Sequence, residues 1–352
     1  MSVPPENTPV KKPRSRLRVF FSVKRALIDL AVLAVAGGIF WLFWTPGEDI
    51  RDGRHDRGEN GLWLAHGWMG GDEWFSSNGK EAEKPKYRSP EALTALTARV
   101  REHGIRDLFP HLCPLDSTGA LPPVDAASTE KFLDAVQPAR VWPWVGGMYL
   151  DGWMGYEPWR KNFAAGVRRL LEAHPRLAGV QINIEPMTSG TASYLTVLDE
   201  VRAALPPGRK LSVAAYPPPT WWQPSQDVHW NEAYFREVAK RCDHLAVMMY
   251  DTGVRFQKPY QKLMADWTEE ILKWSEGRPV LLGLAAYDDK GVEYHHPEVE
   301  NLTNGLAGIH AGLMRFDSLP DQYRGVAIYC DWEMDAAEWK LLEERFGKPG
   351  AP

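Results

Sequence analysis

The strongest constraint on the fold of this 352-residue chain is a regular alternation of two sequence patterns from residue 61 onward. Eight short runs rich in β-branched, aromatic and other apolar residues alternate with segments whose apolar residues recur at helical spacing. The runs are GLWLAHGW, IRDLFPHL, RVWPWVGG, GVQINIE, KLSVAAY, HLAVMMYD, PVLLGLAAY and GVAIYCDW. The clearest helical segments are PEALTALTARVREHG, WRKNFAAGVRRLLEAHP, YLTVLDEVRAAL, EAYFREVAKRC and MADWTEEILKWSEG.

Strict alternation of strands and helices predicts parallel strands joined by right-handed crossovers. Eight such units close into a (β/α)8 TIM barrel, which belongs to the α/β class. An open, doubly wound sheet is the alternative, but no strand is followed by the GxGxxG or P-loop sequence that its nucleotide sites use. The barrel is predicted over residues 61–347.

A long apolar run precedes the barrel. Residues 26–44, ALIDLAVLAVAGGIFWLFW, carry one charge, at Asp29. At about 1.5 Å per residue this run is long enough to cross a hydrocarbon core of roughly 30 Å. Residues 1–25 form a basic tail, which predicts that this end of a transmembrane helix lies in the cytoplasm.

A cleaved signal peptide is the alternative interpretation of the same run. Ala34 and Ala36 offer a small-residue cleavage site, but cleavage there would leave an apolar new terminus. We therefore expect an uncleaved single-pass membrane anchor, followed by a polar stalk over residues 45–60. The barrel would then lie outside the cytoplasm, in the periplasm or at the cell surface.

The charge of the barrel region limits its partners. Residues 1–25 carry seven basic side chains and one acid, which leaves 34 basic and 45 acidic residues in the remainder, a net charge of about −11. Such a surface argues against nucleic acid as the main partner. Protein partners are not indicated by the sequence.

The functional groups of a TIM barrel lie at the C-terminal ends of its strands. Aromatic and polar residues alternate at those ends, which predicts a cleft that binds a carbohydrate. These residues are His66, Trp68, His111, Trp144, Glu185, Tyr216, Tyr250, Asp251, Tyr287, Tyr329 and Asp331. Loop aromatics provide either sugar platforms or lid packing; they are Trp153, Trp221 and Trp222.

No cofactor is expected. His66 and His111 lack a third ligand at a readable spacing, so a metal site is not predicted. The three cysteines, Cys113, Cys242 and Cys330, form no CxxC pair, and we interpret them as buried apolar residues.

The fourth strand carries the most informative polar residues. Gln181, Asn183 and Glu185 alternate with apolar residues, so they share the face that points into the barrel. A glycosidase commonly needs two carboxylates. The seventh strand ends in Tyr287 followed by two aspartates and offers no glutamate. A substrate-assisted scheme fits better, because there the 2-acetamido oxygen of the substrate is the nucleophile and the enzyme supplies one acid.

The run AGVQINIE resembles the DGxDxDxE signature of family-18 glycoside hydrolases, the chitinase-like barrels. The resemblance places Glu185 on the catalytic acid, Asn183 on the last Asp and Gln181 on the middle Asp, while Ala178 replaces the first. The same strand is similar to the Asn-x-Glu strand of family-85 endo-β-N-acetylglucosaminidases. That resemblance implies that Asn183 orients the acetamide and Glu185 acts as acid and base.

Three other strands extend the resemblance to the chitinase-like family. VMMYD is similar to the MxYD pattern of the sixth strand, which implies that Met248, Tyr250 and Asp251 lie at the sugar site. LGLAAY resembles the LGxPxY pattern and supplies Tyr287. In GVAIY, Tyr329 stands where the family has a tryptophan, and Trp332 is the candidate for that role. The predicted substrate-binding set is Gln181, Tyr250, Asp251, Met248, Tyr216, Trp144, Tyr287, Tyr329, Asp331 and Trp332.

Together these patterns predict a membrane-anchored glycoside hydrolase that cleaves a polysaccharide containing N-acetylhexosamine by substrate-assisted catalysis. Two alternatives remain open. One is a glycan-binding barrel without catalysis. The other is a two-carboxylate retaining glycosidase that pairs Glu185 with Asp251, Asp288 or Asp331.

Overall fold

The computed structural model describes residues 16–71, 73–148, 152–220, 223–225, 227–288 and 293–347. The chain divides into two compact units at residue 45. In the first unit, helix α1 spans Arg16–Phe43 and contains most of the predicted anchor. The large apolar side chains described along it are exposed, among them Leu30, Leu33 and Phe40. Among the described residues, no helix combines the length and the apolarity needed to cross a membrane.

In the described part of the second unit, nine parallel strands form a closed sheet. In chain order they are β1 (Asn60–Leu64), β2 (Ile105–Leu112), β3 (Arg140–Val141), β4 (Trp144–Met148), β5 (Gly179–Glu185), β6 (Lys210–Ala215), β7 (His244–Val247), β8 (Val280–Ala285) and β9 (Tyr323–Tyr329). Strands β3 and β4 are the two halves of one barrel strand, since both pair with β2. The sheet closes because β1 pairs with β2 on one side and with β9 on the other. The predicted (β/α)8 barrel is confirmed.

Helices follow the strands as the alternation predicted. They are α2 (Glu73–Ser77), α3 (Pro90–Glu102), α4 (Ala126–Ala135), α5 (Glu157–Ala173), α6 (Ala192–Ala204), α7 (Glu232–Arg241), α8 (Gln257–Trp274), α9 (Leu302–Leu313) and α10 (Ala336–Arg345), with 3-10 turns at Glu81–Tyr87 and Trp153–Gly155. Several begin at a side chain that accepts a backbone N–H, for example Ser89, Asp125 and Asp335. Such caps satisfy N–H groups that the first turn of a helix leaves unpaired.

Hydrogen-bonded polar side chains lie inside the N-terminal half of the barrel. The carboxylate of Asp107 accepts hydrogen bonds from Arg140 and Trp142, each at 2.7 Å. The Ser212 hydroxyl lies 2.9 Å from Nδ1 of His244. These side chains are buried except Arg140. Buried polar groups cost free energy unless they are paired. A shift in strand register would break these pairs, so they help to fix the register as well as filling the interior.

Residues 46–60 of the predicted stalk contact the barrel, beginning with the Glu48 N–H, which donates to the Ala307 carbonyl at 2.9 Å. His55 is buried and its Nδ1 lies 2.7 Å from Nδ1 of His310. The hydroxyl of Tyr323, at the start of β9, donates to the carbonyl of His55 at 2.9 Å. The side chain of Asn60 accepts the Val326 N–H at 3.1 Å. Residues 46–60 therefore belong to the same compact unit as the barrel.

Gly146 sets the spacing between β4 and β5. It pairs with Asn183 and adopts φ +144°, and a Cβ built on it would lie 1.8 Å from the Asn183 carbonyl oxygen. A side chain at this position would therefore push the two strands apart.

We expect Gly146→Ala to lower the free energy of unfolding by at least about 2 kcal/mol, because it combines a backbone clash with an unfavourable φ. Urea denaturation of the wild type and the variant measures this difference. Gly155→Ala is the control, since a Cβ added at Gly155 would meet no atom within 4 Å. Equal stability of both variants would contradict the role of Gly146.

Candidate active site

Strand β5 presents three polar side chains at increasing height in the barrel. Gln181 is fully buried, Asn183 is almost fully buried, and Glu185 is partly exposed at the strand end. The two-residue period of the strand produces this order, because every second side chain points into the barrel. Glu185 is therefore the member of the row that reaches the mouth.

Glu185 keeps some exposed surface, but its carboxyl lies among protein groups. Burial raises its pKa above the ordinary value, and the charge of Asp251 raises it further, while hydrogen bonds from Asn183 and Tyr216 act in the opposite direction. The Tyr216 hydroxyl lies 3.5 Å from Oε2 of Glu185. The net effect keeps the proton on Glu185 at higher pH than on an exposed glutamate, as a general acid requires.

Asn183 lies next to Glu185 with an unused acceptor. Its Oδ1 atom is buried and has no hydrogen-bond partner among the described residues. A buried carbonyl oxygen without a partner costs free energy, so a site that leaves one open commonly serves a ligand. An N–H group of a bound molecule would satisfy it.

Gln181 lies below the cleft. Its Oε1 accepts the indole N–H of Trp63 at 2.8 Å, and its Nε2 lies 3.3 Å from the Ser212 hydroxyl. Since it has no exposed surface, it supports the residues above it. Direct contact with a substrate, which the sequence predicted for Gln181, is not available in this arrangement.

Three tyrosines from the last strands form one wall of the mouth. The Tyr250 and Tyr329 rings are stacked with centroids 5.1 Å apart. Tyr287 meets both edge-on, at 6.2 Å and 5.6 Å. Tyr329 also packs against Trp332 at 5.5 Å and against Trp144 at 6.1 Å. These predicted residues are therefore brought together as one aromatic cluster.

A cleft of about 150 Å³ opens beside this wall. Its lining residues are Asp251, Tyr287, Tyr294, His295, Tyr329, Cys330, Trp332 and Glu333. The Tyr287 hydroxyl donates to Oδ1 of Asp251. The cleft thus combines aromatic faces with a carboxylate held in a defined orientation, a composition suited to a sugar ring.

Other predicted residues lie at the edges of the site. Met248 and Trp144 are buried beneath the mouth, and Trp153 is partly buried against the core. Asp288 is exposed. Trp221 and Trp222 lie outside the described residues.

The two histidines at the ends of β1 and β2 contact each other. Nδ1 of His66 lies 3.0 Å from Nδ1 of His111, and the His66 ring stacks on Trp74 at 3.9 Å. Burial lowers the pKa of both, so they are neutral near pH 7. Among the described residues no group of three or more His, Cys, Asp or Glu is arranged to hold a metal ion.

Sequence reasoning missed the contribution of the segment before α9. Tyr294 and His295 line the cleft, and Glu300 lies behind them. The segment has no helical or strand periodicity, so its burial could not be inferred from the pattern. Its one signal was the run EYHHPEVE, which concentrates titratable residues.

Solved structures share this architecture. The spore cortex-lytic enzyme SleL of Bacillus megaterium QM B1551 matches with a TM-score of 0.53 and 11% identity, over 82% of this chain and 74% of that one. A chitinase from Bacteroides thetaiotaomicron matches with a TM-score of 0.52 and 12% identity, over 83% and 98%. The family-18 chitinase ChiB of Flavobacterium johnsoniae matches with 0.51 and 13%, over 82% and 94%.

The chain has the fold of the chitinase-like barrels. The resemblance found in strands four, six, seven and eight is thereby confirmed at the level of the fold, while the likeness to family 85 stays a prediction. No family model and no curated protein sequence matches the chain.

Asp331 lies behind the wall of this chitinase-like barrel. It is 8% exposed, and its Oδ1 has no partner among the described residues. Burial raises its pKa to about 7, with the charges of Arg99 and Lys86 acting against the shift. Its carboxyl is therefore protonated in the folded chain at pH values where the unfolded chain has already ionised it.

This difference makes stability depend on pH. Between about pH 4 and 7 the unfolded chain releases a proton that folded Asp331 keeps, so the folded state loses stability as pH rises through this window. We expect Asp331→Asn to be more stable than the wild type at pH 8, by on the order of 2–4 kcal/mol, and similar to it at pH 4. Denaturant titrations at both pH values measure this, with Asp317→Asn, at an exposed position, as control. A pH-independent difference would contradict the assignment.

Proposed function

We propose that this chain is a glycoside hydrolase that cleaves a β-linked polysaccharide containing N-acetylhexosamine, with Glu185 as acid and base. The observation that carries the proposal is the pairing of Glu185, whose pKa is raised by burial, with the open acceptor of Asn183 two residues earlier. The chitinase-like fold of the barrel supports the same reaction class.

The proposed mechanism uses the substrate's own acetamide as nucleophile. Its carbonyl oxygen attacks the anomeric carbon while Glu185 gives its proton to the departing glycosidic oxygen, so one C–O bond forms as the other breaks. Asn183 Oδ1 accepts the acetamide N–H, which orients the carbonyl oxygen and stabilises the charge that develops on the acetamide nitrogen. Glu185 then takes a proton from water as that water opens the cyclic intermediate. Two inversions give net retention at the anomeric carbon.

The distribution of carboxylates favours this scheme over the two-carboxylate alternative. Asp331 is buried behind the wall, and Asp288 is exposed. Asp251 does line the cleft, but its Oδ1 already accepts the Tyr287 hydroxyl. Asp251 is therefore the one competitor among these three for the role of enzyme nucleophile.

We expect Glu185→Gln to reduce turnover of N-acetylglucosamine polymers by about 10²–10⁴-fold, because the amide cannot donate the proton. Oligosaccharide binding should survive, since size and shape are kept. Product release measured by mass spectrometry, with binding measured by calorimetry, checks both expectations. Glu298→Gln, at an exposed position, is the matched control. Turnover by Glu185→Gln at the wild-type rate would overturn the proposal.

A thiazoline mimic of the cyclised acetamide separates the mechanisms. The substrate-assisted enzyme should bind it more tightly than substrate, because it resembles the intermediate. Asn183→Ala should weaken that binding by about tenfold or more, since one hydrogen bond contributes about 1–1.5 kcal/mol. Inhibition constants of the two proteins measure the effect. Weak inhibition of an active enzyme would favour Asp251 as nucleophile instead.

The non-catalytic alternative predicts a different outcome. A glycan-binding barrel would bind N-acetylglucosamine oligomers and release no product over long incubation. The retained Glu185 argues against it, because a binding module has no need of a carboxyl that keeps its proton.

We also infer that residues 26–44 attach the chain to a membrane, with residues 1–25 in the cytoplasm and the barrel in the periplasm or at the cell surface. The basic tail and the exposed apolar side chains of α1 support this placement. The full chain should remain in the membrane fraction after carbonate extraction, and a chain that starts at residue 46 should not. Recovery of both in the soluble fraction would contradict it.

A further inference from the structure

The segment before α9 places a buried histidine against the cleft. The side chain of His295 is 0% exposed. Its Nδ1 lies 3.3 Å from Oδ1 of Asp251 and 4.0 Å from Oε2 of Glu300, and its Nε2 lies 3.1 Å from the Tyr287 carbonyl oxygen. The ring also stacks on Tyr287 with centroids 4.1 Å apart.

Both ring nitrogens of His295 face hydrogen-bond acceptors. A carbonyl oxygen can only accept, so Nε2 must carry a proton to bond to Tyr287. Nδ1 lies within ion-pair distance of the carboxylates of Asp251 and Glu300, which also accept when ionised, although it makes no well-aligned hydrogen bond to a described residue. The surroundings therefore favour the imidazolium, with a proton on each nitrogen. Burial opposes that charge, but the contacts with Asp251, the Tyr287 carbonyl and Glu300 raise the pKa of His295 above its ordinary value.

Glu300 is the inner partner of this histidine. It is 1% exposed, its Oε2 accepts the Thr252 N–H at 2.9 Å, and its Oε1 has no partner among the described residues. Burial raises its pKa, and His295 counters that shift. Tyrosine hydroxyls also lie near these carboxylates: Tyr260 and Tyr287 near both Glu300 and Asp251, and Tyr250 near Asp251. The Glu185 carboxyl also faces Asp251.

Asp251 is the outer partner and lines the cleft. Its side chain is 39% exposed, and its Oδ1 receives the Tyr287 hydroxyl in addition to facing His295. Its backbone adopts the left-handed conformation, φ +59°, which is unfavourable for an aspartate without compensating contacts. His295 and Tyr287 supply such contacts.

We propose that His295 is a positioning residue: held as an imidazolium between Asp251 and Glu300, it fixes the Asp251–Tyr287 pair that faces the sugar. Asp251 is then oriented to accept a hydrogen bond from the substrate through the oxygen that Tyr287 does not occupy. This inference rests on the proposed function, because it takes Asp251 as a sugar contact. Loss of the His295 proton releases Asp251, so substrate binding weakens as pH rises through the pKa of His295.

The protonation state can be measured without any substrate. In the full chain labelled with ¹⁵N, long-range imidazole spectra at pH 7 should show one buried histidine protonated on both nitrogens. His295→Gln should remove that signal, and Glu300→Gln should lower its pKa. A neutral His295 at pH 7 in the wild type would overturn the proposal.

The positioning role has a kinetic test. We expect His295→Gln to raise KM for a β-1,4-linked N-acetylglucosamine tetramer about tenfold while kcat changes less, and to remove the rise of KM with pH. Glu300→Gln should act in the same direction and serves if His295→Gln fails to fold. His296→Gln, in the same segment, is the matched control. A wild-type KM and pH profile in both His295→Gln and Glu300→Gln would overturn the positioning role.

Failure of the proposed function can be distinguished from failure of the positioning role. If Glu185→Gln left turnover unchanged, the assignment of the acid would be wrong, yet the NMR titration would still report whether His295 is clamped as an imidazolium. If the enzyme proved active with Glu185 essential and His295 neutral, only the positioning role would be lost.

Discussion

The closure of the sheet between β1 and β9 is the constraint on which the rest of the site depends. Gly61 and Leu62 pair with Ala327 and Ile328, and the same strand pairs with β2 on its other edge. Because all strands are parallel, this closure brings every strand end to one rim. Glu185 and Tyr329 end β5 and β9, while Tyr250 and Tyr287 follow β7 and β8. Only a closed ladder holds all four at one rim. A one-residue slip in register would turn each of these side chains to the other face.

Burial explains why an amide at position 181 suits β5, where the family-18 signature that the strand resembles has an aspartate. A carboxylate at position 181 would be fully buried and would face the indole N–H of Trp63 but also the Ser212–His244 pair. The Gln181 amide accepts the indole N–H of Trp63 and contacts the Ser212 hydroxyl at the same time, and it carries no charge. Asp251 instead places a carboxylate at the cleft, where it contacts His295.

Much of this architecture could be predicted from the sequence, because the alternation of strands and helices is regular and parallel strands leave few topologies. The strand-end rule predicted Glu185 and the tyrosines at the rim, and the structure has them there, with Asn183 buried below Glu185 on the same face. The rule could not predict that Gln181 is fully buried, because a two-residue period indicates which face a side chain lies on and not how far it lies from the mouth. His295 and Glu300 lay beyond prediction because their segment has no period and its contacts with Asp251 are tertiary.

The packing of residues 46–60 on the N-terminal end of the barrel has a mechanical consequence. His55 and Asn60 attach this segment to the start of β9, at the end of the barrel opposite the cleft. A force applied to the chain ahead of residue 46 would first load the contacts of Glu48 with Ala307 and of Asp49 with Arg345, and then those of His55 and Asn60. The strands are about 20 Å long at roughly 3.3 Å per residue, so the loaded contacts lie about that distance from the rim that carries the cleft. The cleft would therefore keep its shape under such a load.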